Sequence, residues 1–300
     1  MTRRALLAAS LATSVSSAAP QRSAHFTKSI CSIIFPENMP LSECFTRAKA
    51  AGFDAMELSI GRDIALDISR DEAKRIGDAA HKAGIRIATI WLAGPLHATP
   101  LNASDPAVRA RGIDAIRKAI TIATGLHCEA ILLYAVRLGS GPKLEYGSQE
   151  TWDRFSAALR EVIPMAAQAK VRLNPENVWN KFLLSPLEMR AFVDQFHSPW
   201  LQTHFDVGNV MQYGYPEDWI LTLGSRIQRV HFKDYKLTNR GVAGQFVDLL
   251  QGDVNWKGVM DALVKVRYNG FLSPEIDHDP AQPDQLKVVS ASLDKILSMS

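Results

Sequence analysis

Four short runs in the second half of the chain each carry one side chain able to bind a divalent cation: Glu176 in VRLNPEN (171–177), Asp206 in LQTHFDVG (201–208), His231 in RVHFKD (229–234) and Glu275 in FLSPEID (271–277). Two glutamates, an aspartate and a histidine form a mainly oxygen-donor set. Such a set suits Mn²⁺ first, Mg²⁺ or Co²⁺ as well, and Zn²⁺ is also compatible. A cation held this way polarises a carbonyl and its neighbouring hydroxyl, and a spare carboxylate beside it can move a proton.

The runs read as strands, and parity sorts their side chains. Arg172, Asn174 and Glu176 share one face, as do Gln202, His204 and Asp206; so do Arg229, His231 and Lys233, and Ser273, Glu275 and Asp277. The other parity is apolar: Leu173, Phe205, Val207, Val230, Phe232, Leu272 and Ile276. Strand side chains alternate between faces, so the polar rows point into a barrel and the apolar rows onto its helices. A sheet with one solvated face would alternate in the same way. The interleaved helical patterns argue against it, because parallel sheets are covered on both faces. Pro175 and Pro274 cannot donate to a ladder and mark strand C-termini, which places Glu176 and Glu275 at a barrel mouth.

Strand and helix patterns alternate before these runs. Strands are expected at 29–35, 53–60, 85–92 and 128–136, and helices at 41–51, 71–83, 105–124 and 151–169. Gly52 and Gly84 serve as left-handed caps, with Asp105-Pro106 and Ser185-Pro186 at helix starts. Residues 236–254 lack periodicity and are expected to form an extended loop over the site. The last two helices are expected at 255–266 and 280–299. Eight β/α repeats with no composition break predict a single (β/α)8 TIM barrel over 25–300. No Gly-rich dinucleotide turn follows any strand, which speaks against a doubly wound sheet.

Residues 1–24 have a signal-peptide layout. Arg3 and Arg4 precede an Ala-rich apolar run and small residues through Ala19, suggesting twin-arginine export and a periplasmic or exported protein. A non-functional leader would leave the chain in the cytoplasm. The formal charge is +3, and without Arg3 and Arg4 it is +1 (32 basic against 31 acidic residues), giving no electrostatic case for nucleic acid or membrane as partner. Three cysteines fit neither a zinc ribbon nor a closed disulfide framework and are expected as buried thiols.

The motifs Glu176-Asn177-Val178-Trp179-Asn180-Lys181-Phe182, Phe205-Asp206-Val207-Gly208-Asn209 and Val230-His231-Phe232-Lys233-Asp234 resemble the sugar phosphate isomerase/epimerase family of xylose-isomerase-like TIM barrels. The resemblance covers nearly all of the chain after the leader. It implies one divalent metal held by Glu176, Asp206, His231 and Glu275, with Glu176 and Glu275 doubling as an acid/base pair on opposite sides of a small-molecule sugar. One removes an α-proton to give an enediolate, and the other returns a proton. The result is epimerisation or isomerisation; loss of a β-leaving group would instead make a dehydratase or a 3-keto-glycoside lyase. A non-catalytic sugar-binding barrel is a further alternative, and homo-oligomers are compatible with the resemblance.

Three positions depart from the ketose 3-epimerase pattern. Asn209 stands where a histidine is expected, Leu237 where an arginine is and Phe182 where a second glutamate is. The substrate shell must therefore differ. Lys233, Lys181, Asn209, Trp91 and His97 are the candidates for it, with Glu57 as a supporting carboxylate. Export and the lack of a phosphate-cradling glycine loop favour an unphosphorylated ketose or keto-sugar.

Overall fold

The computed structural model describes residues 25–140, 142–238, 241 and 243–300; the leader expected over 1–24 lies outside the described residues. Eight strands alternate with helices: β1 (Phe26–Cys31), β2 (Ala55–Ser59), β3 (Arg86–Trp91), β4 (Ala130–Leu133), β5 (Arg172–Pro175), β6 (Thr203–Asp206), β7 (Ile227–Phe232) and β8 (Gly270–Pro274). The order in the sheet is β5-β4-β3-β2-β1-β8-β7-β6, all pairs are parallel, and the single-residue bridges Leu173↔Leu201 and Glu176↔His204 join β5 to β6. The expected (β/α)8 barrel is the fold.

Local chemistry sets the repeats. Ser69 and Glu72 form a capping box at the start of helix Arg70–Lys82, and Ser185 and Glu188 do the same for helix Pro186–Asp194. Asp105 accepts from the Ala107 amide ahead of helix Pro106–Gly125, with Pro106 as its first residue. Gly52 and Gly84 take φ of +90° and +76° just past their helices, the left-handed region where a side chain is strained. The apolar parity of each strand packs outward against the helices: Leu173, Phe205, Val230, Phe232 and Leu272 are buried in one continuous core. Each such side chain contributes on the order of 1.5–3 kcal/mol.

The strands stop earlier than the pattern predicts. Residues 32–34, expected in β1, form a 3-10 turn, and the expected strands 128–136, 201–208 and 271–277 shorten to the spans above. β5 and β8 end at Pro175 and Pro274, which have no N–H to give a ladder. The expected loop over 236–254 is instead an antiparallel hairpin, Asp234–Thr238 with Ala243–Val247, rooted in two carboxylates. Buried Asp234 accepts from the amides of Tyr235 and Gly252 and from Trp256 Nε1, and Asp253 accepts from the Leu237 amide and Lys236 Nζ. A two-residue antiparallel pair, Gly139–Ser140 with Lys143–Leu144, lies between β4 and the next helix. Cys31, Cys44 and Cys128 are buried free thiols. No helix among the described residues is long and apolar enough to cross a membrane.

Candidate metal centre at the barrel mouth

Strand register brings the polar rows into one layer: Asp206 pairs with His231, and His231 with Ser273. Pro175 and Pro274 end their strands, so Glu176 and Glu275 follow immediately at the rim. One ligand atom from each of Glu176, Asp206, His231 and Glu275 lies within 4.8 Å of the others. His231 Nδ1 is 2.8 Å from Glu275 Oε2, 3.2 Å from Glu176 Oε1 and 3.7 Å from Asp206 Oδ2.

The donor set fits a cation. Asp206 Oδ2 and Glu275 Oε2 are buried and accept no well-directed hydrogen bond, although Lys233 Nζ stands 3.2 and 2.8 Å from them. Three carboxylates and one imidazole converging in a buried space need positive charge to balance them. Burial pushes the Glu176 carboxyl up to about 7, with Glu275 adding to the rise and His231 opposing it. Burial would also raise Glu275, but Lys233 and His231 overcome it and hold Glu275 at about 2. Burial works against the charged form of Lys233, yet Asp206, Glu275 and Glu176 together raise its pKa above the usual lysine range. The two glutamates thus differ in proton affinity, as a donor–acceptor pair requires.

Asp206 is positioned by residues that strand parity does not reveal. Its Oδ1 accepts from the Asn209 amide at 2.7 Å, capping the single helical turn Val207–Val210. Asn177 grips the Asp206 backbone from the side, accepting from its N–H and donating to its carbonyl, both at 2.8 Å. Gly208 lets this turn lie against β7: a Cβ there would come within 2.6 Å of Lys233 Cβ. Asn177 sits beside a metal-binding candidate in the sequence, and that adjacency is its only signal.

The substrate-shell candidates go different ways. Lys233 enters the cluster. Asn209 is buried and spends its side-chain N–H on the Asn177 carbonyl at 3.0 Å, so it supports the Asp206 loop. Trp91 lies behind His231, ring centres 5.2 Å apart, with its indole N–H donated to Glu57. His97 is exposed at the far side of the mouth, 3.4 Å from Arg137 and near Tyr134. Lys181 lines a separate surface cavity with Trp152 and Glu188. Phe182 packs in the core against Trp152 and Phe192, so this position faces away from the mouth. An unpredicted aromatic rim stands over the site: Trp179 and Phe246 stack at 5.1 Å, and Lys233 Nζ lies 5.2 Å from the Phe246 ring.

Comparison with known proteins agrees with this architecture. L-ribulose-5-phosphate 3-epimerase UlaE of Escherichia coli O1:K1 is 28% identical over 267 residues, 86% of this chain and 91% of the relative. The solved structure of D-psicose 3-epimerase with D-fructose shares the fold with a TM-score of 0.76 at 16% identity, covering 90% of this chain and 99% of that one. That of L-ribulose 3-epimerase has a TM-score of 0.73 at 21% identity, covering 90% and 94%. The resemblance carried by the three motifs is thereby met at the level of the family. With its profile matched across residues 45–296, the chain belongs to the xylose isomerase-like TIM barrel family.

Proposed function

We propose that the protein is a divalent-metal-dependent sugar epimerase or isomerase acting by α-proton transfer on an unphosphorylated ketose or keto-sugar. The observation that carries the reading is the convergence of Glu176, Asp206, His231 and Glu275 at the C-terminal mouth of the barrel. These four residues would hold the ion, which when bound supplies charge stabilisation for the oxygens next to the reacting carbon. One of the two glutamates is suited to accept the α-proton through an oxygen that does not hold the ion, and the other to return one on the opposite side. Reversal of the reaction exchanges these roles. Lys233 limits the build-up of negative charge as the proton moves, and Trp179 and Phe246 offer apolar faces to a sugar ring. The sequence relatives named as epimerases support the reaction class.

The preference for a substrate without phosphate rests on charge. A cavity of about 370 Å³ beside Glu275 is lined by Asp248, Asp277 and Asp279. Lys233 is the one cation among its described lining residues, and its Nζ is already 2.8 Å from Glu275. Arg137, across the mouth, faces Glu145 at 3.8 Å. A phosphate in that cavity would meet carboxylates. The leader-like N-terminus points the same way, since export brings the enzyme to free sugars.

Incubation of Mn²⁺-loaded protein with a panel of ketoses in D₂O tests the proposal. Deuterium should enter the carbon next to the carbonyl, faster for a free ketose than for its 5-phosphate. Absence of exchange across the panel, or release of an ultraviolet-absorbing elimination product in its place, would overturn the epimerase reading.

A further inference from the structure

Beneath the ligand cluster lies a second set of polar side chains that the proton chemistry does not use. Glu57 sits in β2 between the core residues Met56 and Leu58 and has no solvent exposure. A buried carboxylate is tolerated when its oxygens are answered by donors, and here three different strands supply them. Trp91 of β3 donates its Nε1–H to Glu57 Oε2 at 2.6 Å, Ser273 of β8 donates its hydroxyl to Oε1 at 2.5 Å, and His231 of β7 places Nε2 3.1 Å from Oε2. The other ring nitrogen, Nδ1, faces Glu176, Asp206 and Glu275.

We propose that Glu57 is the positioning residue that fixes the His231 tautomer: it takes the Nε2–H and thereby aims the Nδ1 lone pair at the cation. The inference rests on reading the mouth cluster as a metal site. Its logic is donor arithmetic. An indole can only donate, and an ionised carboxylate can only accept, so the proton between Glu57 and His231 belongs to Nε2. Trp91 and Ser273 then hold Glu57 in place, and the imidazole gains basicity from the charge behind it. Cys31, whose Sγ is 3.7 Å from Nε2, could combine with Glu57 and His231 into a second cation site. The Glu57 oxygen that faces this pair, Oε2, already accepts from Trp91 and stands against His231 Nε2.

The test measures Mn²⁺ affinity of the full chain by titration calorimetry, with no sugar present, for the unaltered protein and for Glu57→Gln, Glu57→Met and Ser273→Ala. The ¹⁵N shifts of His231 are read in the diamagnetic Zn²⁺ form. In Glu57→Gln the amide oxygen can replace Oε2 while the Ser273 hydroxyl turns to accept from the amide, so only the charge is lost. In Glu57→Met the acceptor itself is lost. Affinity should fall about tenfold in the first and about a hundredfold in the second, the two ends of the range for a partner behind a metal ligand. Nε2 should carry the proton in the unaltered protein and in Glu57→Gln. Ser273→Ala, expected to weaken binding a few-fold, serves if the methionine variant does not fold.

Unchanged affinity in the folded variants would overturn the proposal. So would a protonated Nδ1, or a second equivalent of Mn²⁺ that disappears in Cys31→Ser. Metal binding as described without turnover of any ketose would sink the proposed activity and leave this inference standing.

Discussion

Strands β5–β8 and strands β2–β3 each bring ionisable or polar side chains to the barrel axis, but in different surroundings. Glu176 and Glu275 keep 7% and 17% exposure at the rim and face other charged groups across an open mouth. Glu57 has none, and every contact it makes is to a fixed donor. The first arrangement leaves oxygen atoms without directed partners, Asp206 Oδ2 and Glu275 Oε2, and so can accept a ligand. The second gives both oxygens of Glu57 a directed donor, with two on Oε2, and holds its neighbours still. One barrel interior therefore divides into a half that offers chemistry and a half that aims it.

Substitutions should separate the halves by what excess metal can repair. The largest effect is expected from Asp206→Asn: loss of bound Mn²⁺, measured by elemental analysis, and activity at background whatever the Mn²⁺ concentration. Glu176→Gln and Glu275→Gln should lower kcat by about 10²–10⁴-fold with little change in KM, as expected when a proton-transfer group is removed; saturating Mn²⁺ should not restore the rate. Trp91→Phe, on the supporting side, should weaken Mn²⁺ binding by around tenfold, and saturating Mn²⁺ should restore most of the turnover. A Trp91→Phe defect that excess Mn²⁺ leaves untouched would erase the distinction.

The pH dependence sharpens the same comparison. Glu176 must lose its proton to bind a cation, and its folded pKa is raised to about 7. Mn²⁺ affinity should therefore climb as pH rises through about 7 and level off above it, with proton release detectable by calorimetry in buffers of different ionisation enthalpy. Affinity flat across that window would count against Glu176 as a ligand. The smallest effect belongs to the rim: Phe246→Ala removes a ring stacked on Trp179 and near Lys233. That change is worth about 0.5–1 kcal/mol, or roughly two- to fivefold in KM.

The offering half was legible in the sequence because its signals are periodic. Polar and apolar residues alternate through 171–177, 201–208, 229–234 and 271–277, and Pro175 and Pro274 mark where their ladders end. Glu57 lies in the run FDAMELSI and Trp91 in IRIATIWL, where polar residues fall on both parities (Asp54 against Glu57 and Ser59, Arg86 against Thr89), so both are candidates whose direction the pattern does not show. Asn209 is read from the sequence as a substrate-shell candidate and Asn177 only as the neighbour of Glu176, yet their hydrogen bonds close on the Asp206 segment itself, a contact set only by folding. The hairpin over the mouth was hidden because its strands are short. Its order comes from Asp234 and Asp253, which bind backbone amides up to 20 residues away and leave no periodic trace.

Glu176, Asp206, His231 and Glu275 are placed to share one cation. Anomalous diffraction at the manganese edge, from crystals grown with Mn²⁺, tests it most directly. A single peak should appear, bonded to all four side chains, with His231 bonding through Nδ1. A peak among Cys31, Glu57 and His231 Nε2, or none between the two glutamates, would contradict it.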